Sequence, residues 1–588
     1  MKIEIHKIEH LSSLLNKKWK LIDYDERNAL YLSQKFELPL IVGKLLSIRK
    51  IKEENIDFFL NPNINQHIPN PSKIKDMALA TERVVEAIKK NQKIGIIADY
   101  DVDGSTSASI LYKFLKNYNS SITLKIPNRL VDGYGPNLKL MREMQLQNID
   151  LLFTLDCGTT SNNIIDNEEF KKIDVIVIDH HLSKFELPRV HSIINPNRFD
   201  DKSDYKQMAA VGVTFLFLMS LRKELRNHNL FNNKKEPNLL SYLDLVALGT
   251  VCDVVELKQF NRLFVFKGLE LIRKRYHKGI SKLIDNTKIN SSPSSQDLGY
   301  FVGPQINAAS RIDDSTLASK LLITNDIEKI ETISRKLYLL NEKRKLIESQ
   351  ILEKATKQAE IQQNSKYILV YDENWHQGVL GIVASKLLDI YNKPVIVLSF
   401  LNTFGVGSAR SIDGVDLGSI ILNAKIKGLI IEGGGHAMAA GLKLNYKDLE
   451  NFKNYLDESF KLYEQHVFEK IINFDLIISV NDLNLNLLDS LEKLQPYGKG
   501  NPEPYFIISD LKIDSIKILK HKHILIFFEN DLGNKIKGIC FNFKGTIVGD
   551  YLEKFNQYKF YFGCNVTPDK FSRDIGPQLI IKDVMKID

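Results

Sequence analysis

The sequence predicts an α/β fold built on a parallel sheet, and three short runs carry that prediction. Residues 93–98, 151–155 and 175–178 are apolar, and each run ends directly before an aspartate: Asp99, Asp156 and Asp179. Runs apolar on both faces mark strands buried between helices, and the amphipathic stretches between them fit β-α-β crossovers. In such sheets sites form outside the carboxyl ends of the strands. Three strand-end aspartates therefore point to one crevice.

The elements follow in order. A chain of 588 residues is too long for one core and predicts three or four domains at roughly 150 residues each. Residues 1–75 form an N-terminal extension that closes in an Asn/Pro-rich run at 61–71. The parallel-sheet domain occupies 76–325. Residues 326–362 contain no Gly or Pro, and Ile330, Ile333, Leu337 and Leu340 recur at helical spacing, which predicts a long connecting helix. A second α/β domain follows at 363–465, with strands near 367–370 and 394–398, a hairpin-like stretch at 405–410 and a Gly cluster at 433–435. Residues 466–588 mix short apolar and polar runs and read as a small all-β barrel.

Composition narrows the function classes. An apolar content of 44% and a charged content of 26% exclude a disordered chain. Lys+Arg 80 against Asp+Glu 72 leaves +8, a mild cationic bias compatible with nucleic acid but far from a histone-like density. Cys157, Cys252, Cys540 and Cys564 form no C-x-x-C pair, which excludes a thiolate zinc site and a disulfide scaffold and fits a reducing compartment. No run approaches a membrane span, and the first residues carry no apolar signal core, so a cytoplasmic protein without a membrane partner is expected.

The densest chemistry is Asp99-Tyr100-Asp101-Val102-Asp103-Gly104. It matches the opening of a calcium EF-hand loop, but Ile110 stands where that loop requires Glu, and a strand leads in. Carboxylates this close repel, so either a hard cation sits among them or the segment is a solvated acidic turn. Asp179-His180-His181 favours the cation. A lone His near a strand end is usually a loop or core residue; two in succession after an aspartate are harder to explain so. In an extended segment their side chains face opposite ways, one imidazole toward metal and the other toward substrate. Imidazole with carboxylates suits Mn²⁺ especially, with Mg²⁺ also possible. Asp253 follows the helical run 240–248. Together Asp99, Asp101, Asp103, Asp156, His180 and Asp253 offer ligands for two adjacent cations, a recurrent device for phosphoester hydrolysis.

These segments form an ordered set with 127–129, 132–135 and 155–158, and the order continues through 303–311, 375–384, 407–411 and 433–441. The set resembles the DHH phosphoesterase superfamily and, within it, the RecJ family of single-strand-specific 5′→3′ DNA exonucleases, over residues 50 to 510. The resemblance implies a DHH catalytic domain, a DHH-associated domain at 363–465 and a C-terminal OB-fold that binds nucleic acid. It implies that Asp101, Asp103, Asp156, His180 and Asp253 hold two divalent cations, Mn²⁺ or Mg²⁺, with Asp99 as a direct or outer ligand. Asp156 and His181 are the implied catalytic residues, His181 facing the scissile phosphate. The resemblance assigns Arg129, Arg311, Ser408 and Arg410 to capture of a 5′-phosphate, although each Arg taken alone reads first as the partner of a surface carboxylate. His436, after the Gly run, is read as a phosphate contact or a loop-stabilising residue.

The implied substrate is single-stranded DNA with a 5′ end, degraded to 5′-mononucleotides in recombination and repair. A DNA helicase and a single-strand-binding protein are the expected partners, and the enzyme is expected to act as a monomer. In the C-terminal domain Tyr497, Tyr505, Phe506, Phe527, Phe528, Phe541 and Phe543 are the candidate stacking residues, but most alternating aromatics in a small barrel are core, so no individual contact is assigned. Two other readings stay open: a nano-RNA or cyclic-dinucleotide phosphodiesterase of the same superfamily, and a non-catalytic DNA-binding scaffold on a DHH core. Loss of metal ligands would mark the second, and none is lost.

Overall fold

The structure, a computed structural model, describes residues 11–119, 121–231, 235–287, 289, 292–509, 511–529, 535–569 and 576–587. Residues 1–10 of the expected N-terminal extension lie outside the described residues. The chain divides into two compact units. One comprises 62–461 with 496–501; the other combines the residues up to 61 with 462–495 and 502–588.

In the larger unit, β1 (Ile94–Ala98), β2 (Ile122–Lys125), β3 (Leu151–Leu155), β4 (Asp174–Ile178) and β5 (Ser192–Ile194) form a sheet in the order β2-β1-β3-β4-β5. All pairs are parallel. Every residue of β1 and β3 is buried, as the two-sided apolar runs predict. Helices α1 (Met77–Lys89), α2 (Val102–Leu115), α3 (Ala210–Asn227) and α4 (Leu243–Cys252) belong to the same layer system, and α2 packs on both α3 and α4. Gly249 permits the α2–α4 approach, since a Cβ there would lie 2.3 Å from Thr106 Oγ1. The strand order reverses between β1 and β3. That switch point is where a parallel sheet opens a crevice, and Asp99 and Asp156 follow these two strands.

A short helix, α5 (Gly303–Ile312), precedes α6 (Ile327–Glu360). The Asp326 side chain caps α6 by accepting from the Glu328 and Lys329 backbones. At 34 residues and 1.5 Å per residue, α6 is about 50 Å long. Its early turns pack on α5 and its later turns on the second sheet's layer. That sheet contains β6 (Ile368–Glu373), β7 (Val395–Leu401), β8 (Phe404–Arg410), β9 (Glu432–His436) and β10 (Ala439–Asn445), in the order β9-β10-β8-β7-β6. Only β6 and β7 run parallel. Helix α7 (Leu380–Tyr391) covers β7 and β8.

The smaller unit holds a mixed seven-stranded sheet. Its pairing runs from Leu476–Ser479 through Phe506–Ser509, Lys559–Pro568, Pro577–Ile587, Lys535–Cys540 and His523–Glu529 to Lys512–Leu519. Among the described residues the two end strands do not pair with each other, so closure into the expected barrel is not part of this sheet's hydrogen bonding. The strand Lys18–Leu21 pairs in parallel with Ile471–Phe474. Trp19 is buried there, its ring 4.6 Å from that of Phe474 and its Nε1 donating to Asp583 at 2.9 Å. Several expected stacking residues are instead core: Phe506 and Phe528 are fully buried, and Tyr505 stacks on Phe474 at 4.4 Å. Phe541 stays exposed beside His523.

Candidate metal centre and anion pocket

The acidic centre is assembled from the ends of four elements. Asp99 follows β1 and Asp156 follows β3; Asp101 and Asp103 open α2, and Asp253 closes α4. Asp101 is the N-cap of α2, its carboxylate accepting from the Gly104 backbone at 3.0 Å. Asp103 is buried, and its two oxygens accept from Ala210 and Val211 at 2.7 and 2.8 Å, so it also caps α3. Gly104 is required by closeness: a Cβ there would stand 2.4 Å from the Asp99 carbonyl oxygen.

Three groups of ligand atoms, each within 4.8 Å, converge: Asp99 with Asp101 and Asp156; Asp103 with His180 and Asp253; and Asp156 with His180 and His181. The first two share no residue, and the third draws from both. His180 Nε2 lies 3.4 Å from Asp156, 3.5 Å from Asp253 and 3.9 Å from Asp103. Yet Asp99 Oδ1, Asp156 Oδ1, Asp253 Oδ2 and His180 Nε2 are buried without a hydrogen-bond partner. Buried polar atoms are normally satisfied. Four orphans aimed at one another fit a divalent cation.

Electrostatics agree. Burial, then the charge of neighbouring aspartates, lifts Asp103 to about 7 and Asp253 to about 9, and holds Asp99 and Asp156 well above the ordinary carboxylate range. Burial, helped by the adjacent His181, lowers His180 to about 4. A bound cation would relieve the carboxylate repulsion and accept the neutral imidazole. The backbone is bent to this purpose: Asp156 and Val254 hold φ values of 60° and 59°, a left-handed conformation that is an outlier for β-branched Val254.

The two histidines do not diverge as an extended segment would. Their rings lie 4.6 Å apart, and both reach toward Asp156. The reason is Asp179, whose Oδ1 accepts from the backbones of His180 and His181 and bends the chain. The same oxygen lies 2.7 Å from His181 Nδ1, and Oδ2 accepts from the Thr159 backbone. Burial opposes charge on both groups, but the mutual hydrogen bond wins: Asp179 is held below the usual range and His181 is raised to about 9. His181 is half exposed, whereas His180 is nearly enclosed. Tyr134, within the 132–135 segment, donates to the Asp156 carbonyl at 2.8 Å and lies 3.2 Å from His181 Nδ1.

A cationic cluster adjoins this centre. Arg311 donates to the Gly378 carbonyl at 3.0 Å, and burial, then Arg129, Arg344 and Arg410, lowers it to about 9. Arg410 is lowered by burial and by Arg129. Arg129 lies over the Tyr100 ring, 5.0 Å from its centroid. Among the described residues none of Arg129, Arg311 and Arg410 forms an ion pair, so the surface-carboxylate reading of these three fails. Ser408 and Arg410 share one face of β8, with Arg410 Nη1 3.2 Å from Ser408 Oγ. A Cβ on Gly381, in the first turn of α7, would lie 3.0 Å from both side chains. This pocket therefore combines guanidinium groups with a helix N-terminus, both of which favour anions.

His436 stands apart from the cluster. It pairs with Ala439, which pairs with Arg410, so two strand spacings, about 10 Å, separate it from Arg410. It is exposed. Sequence reasoning missed Asp179 and Tyr134 as supports of His181, and Arg344, which α6 brings beside Arg311. Tyr134 was signalled by its Gly-flanked segment. Arg344 lies in a charged helix where nothing singles it out; only its pairing with Glu348 at 2.7 Å and Asn341 at 3.1 Å fixes it.

Comparison with known proteins accords with this geometry. Residues 93–250 match the DHH family, N-terminal domain; 364–462 match the DHHA1 domain; 474–583 match the RecJ OB domain. The single-stranded-DNA-specific exonuclease RecJ of Haemophilus influenzae is 32% identical over 535 residues, covering 88% of this chain and 92% of that protein. The structure of Thermus thermophilus RecJ in complex with Mn²⁺ superposes with a TM-score of 0.81 at 23% identity, over 97% of this chain and 80% of that one. A structure of exonuclease RecJ bound to manganese gives 0.58 at 28% identity, over 67% of this chain and 96% of that one. Three matched domains in one order, with a relative matched over nearly its whole length, place the chain in the RecJ family.

Proposed function

We propose that this chain is a divalent-metal-dependent exonuclease that degrades single-stranded DNA from a 5′ end and releases 5′-mononucleotides. The observation that carries the reading is the convergence of orphaned carboxylate and imidazole atoms beside an unpaired arginine cluster. Asp99, Asp101, Asp103, Asp156, His180 and Asp253 would hold two cations, Mn²⁺ or Mg²⁺, with Asp156 near both. Bound there, such ions activate water and screen charge on the phosphate in the transition state.

The protein's own groups do the rest. Asp179 and Tyr134 orient His181, which faces solvent and acts on the scissile phosphate as an electrostatic or general-acid group. Arg129, Arg311, Arg410 and Ser408 receive a terminal phosphate, with Arg344 adding charge behind Arg311. Planar guanidinium groups suit a phosphate dianion better than lysine. An anion anchored at a fixed place beside the metal centre sets polarity, because cleavage then falls next to the anchored end. His436 would contact the strand further along. The OB domain supplies a second hold on the strand.

In this reading the enzyme acts as a cytoplasmic monomer in recombination and repair, with a helicase and a single-strand-binding protein supplying accessible strand. The test is degradation of an end-labelled oligonucleotide with Mn²⁺ or Mg²⁺, comparing free 5′ with free 3′ ends, duplex, RNA and cyclic dinucleotides. Loss of nucleotides from the 5′ end of the single strand is expected. Release from the 3′ end alone, or hydrolysis of cyclic dinucleotides alone, overturns it.

A further inference from the structure

Two exposed phenylalanines sit on the loops that hold the histidine pair. Phe185 is 84% and Phe199 53% exposed, yet their rings lie 4.8 Å apart at an interplanar angle of 31°. Leu182 beside them is also exposed. Phe185 lies beyond the carboxyl end of β4 and Phe199 beyond that of β5, so both stand on the edge of the sheet that carries the metal centre.

The loops are tied together and to the histidines. The Phe199 backbone donates to Ser183 Oγ at 3.0 Å. Asn197 Nδ2 donates to the His180 carbonyl at 2.6 Å, and Asn195 Nδ2 to the His181 carbonyl at 2.9 Å. Asn195 Nδ2 also reaches Thr159 Oγ1, and its Oδ1 accepts from the Asn197 backbone. The aromatic pair is therefore fixed to the same backbone that positions His180 and His181.

Exposed aromatics held this way serve as a surface for a flat partner. Their place selects which one: the rings stand at the sheet edge whose loops hold the histidine pair, and Lys184, exposed beside Phe185, forms no ion pair among the described residues. Asn197 Nδ2 also holds the Lys206 carbonyl at 2.8 Å. Ring faces beside a free ammonium group match a nucleobase with its phosphate.

We infer that Phe185 and Phe199 form a stacking step for a base of the single strand lying at the hydrolytic crevice, with Lys184 on its phosphate. The inference deepens the exonuclease reading and rests on it.

The test measures the affinity of a fluorescent single-stranded oligonucleotide for the full chain carrying Asp156→Ala, so that binding is read without cleavage. Adding Phe185→Ala with Phe199→Ala should weaken affinity roughly 5-fold to 100-fold, and Phe185→Trp with Phe199 intact should restore it. An oligonucleotide scanned with single abasic sites should show one affinity-sensitive position with the native rings that is no longer sensitive without them. Unchanged affinity in the double alanine variant, or a protein-only partner for the patch, overturns the inference. The native chain is assayed for cleavage of the same oligonucleotide in parallel. Ring-dependent binding without cleavage overturns the exonuclease reading alone, and cleavage with ring-independent binding overturns the stacking step alone.

Discussion

His181 Nδ1 stands 2.7 Å from the Asp179 carboxylate, and that carboxylate also accepts the backbone N–H groups of both histidines. One buried side chain thus sets both the bend and the ring orientation. Asp179→Asn should lower kcat about 10²-fold, the low end for losing an oriented acid–base or electrostatic group. Single-turnover cleavage with a separate affinity measurement checks this: KM should hold while kcat falls. Unchanged kcat would remove Asp179 from the positioning role.

Removal of metal should be visible without any substrate. Mn²⁺ at 100 times its dissociation constant should stabilise the native chain by about 2.7 kcal/mol for each site it fills. Asp156→Asn should shrink that gain and, in chelator, unfold at a higher temperature than the native chain, because one buried like charge is gone. Calorimetry with and without Mn²⁺ reads both effects.

Arg410→Ala should reduce the preference for a 5′-phosphorylated over a 5′-hydroxyl end. Hydrogen bonds to charged groups contribute about 1.5–3 kcal/mol, which is roughly 10-fold to 100-fold. Arg410→Lys should recover less than half of the loss, since lysine lacks the planar fork. Competition between the two ends in one reaction measures the ratio directly.

Trp19 Nε1 donates to Asp583 inside the smaller unit. Trp19→Phe removes the Nε1 donor and part of a buried ring, leaving the carboxylate short of a donor and the core short of volume, so it should destabilise that unit by at least about 1–3 kcal/mol. Urea unfolding followed by a probe in the unit checks the shift.

His277 caps the helix Lys278–Asp285 by accepting from Ile280, and its Nε2 lies 2.9 Å from the Leu322 carbonyl. Burial, aided by the charge of Lys113, lowers it to about 4. A histidine that protonates more readily unfolded than folded costs stability as pH falls below its unfolded value of about 6.5. Between pH 7.5 and 5.5 the native chain should lose about 1.4 kcal/mol that His277→Asn does not. The difference between the two pH slopes, measured by denaturant unfolding, isolates this residue.

Much of this molecule was legible in its residues. The three strand-end aspartates located β1, β3 and β4 because burial on both faces leaves a continuous apolar run, and the charge-rich stretch without Gly or Pro located α6. The converging carboxylates were legible where they stand at strand ends or open the helix that follows, while Asp253 at a helix end had only weak local signal. What was not legible depended on distant partners. The opposite-facing histidines failed because Asp179 bends the segment, a hydrogen bond that strand periodicity does not encode. Phe506 and Phe528 are core, as most alternating aromatics of a small barrel are expected to be, but alternation along a strand does not say which of them face inward. Arg344 needed α6 in three dimensions to reach Arg311. The joining of Trp19 to Asp583 has no local signature at all.

That last contact spans 564 residues and fixes an order of events during synthesis. At about 5–20 residues per second, the ribosome needs roughly 30 s to 2 min to deliver Asp583 after Trp19 has emerged. Until Ile471–Phe474 emerges the first strand has an unpaired edge, and until Asp583 emerges its tryptophan lacks its acceptor, while residues 62–461 can already collapse on their own sheets. The smaller unit therefore completes only after Asp583 has been made, and its N-terminal strand waits longest for its partners.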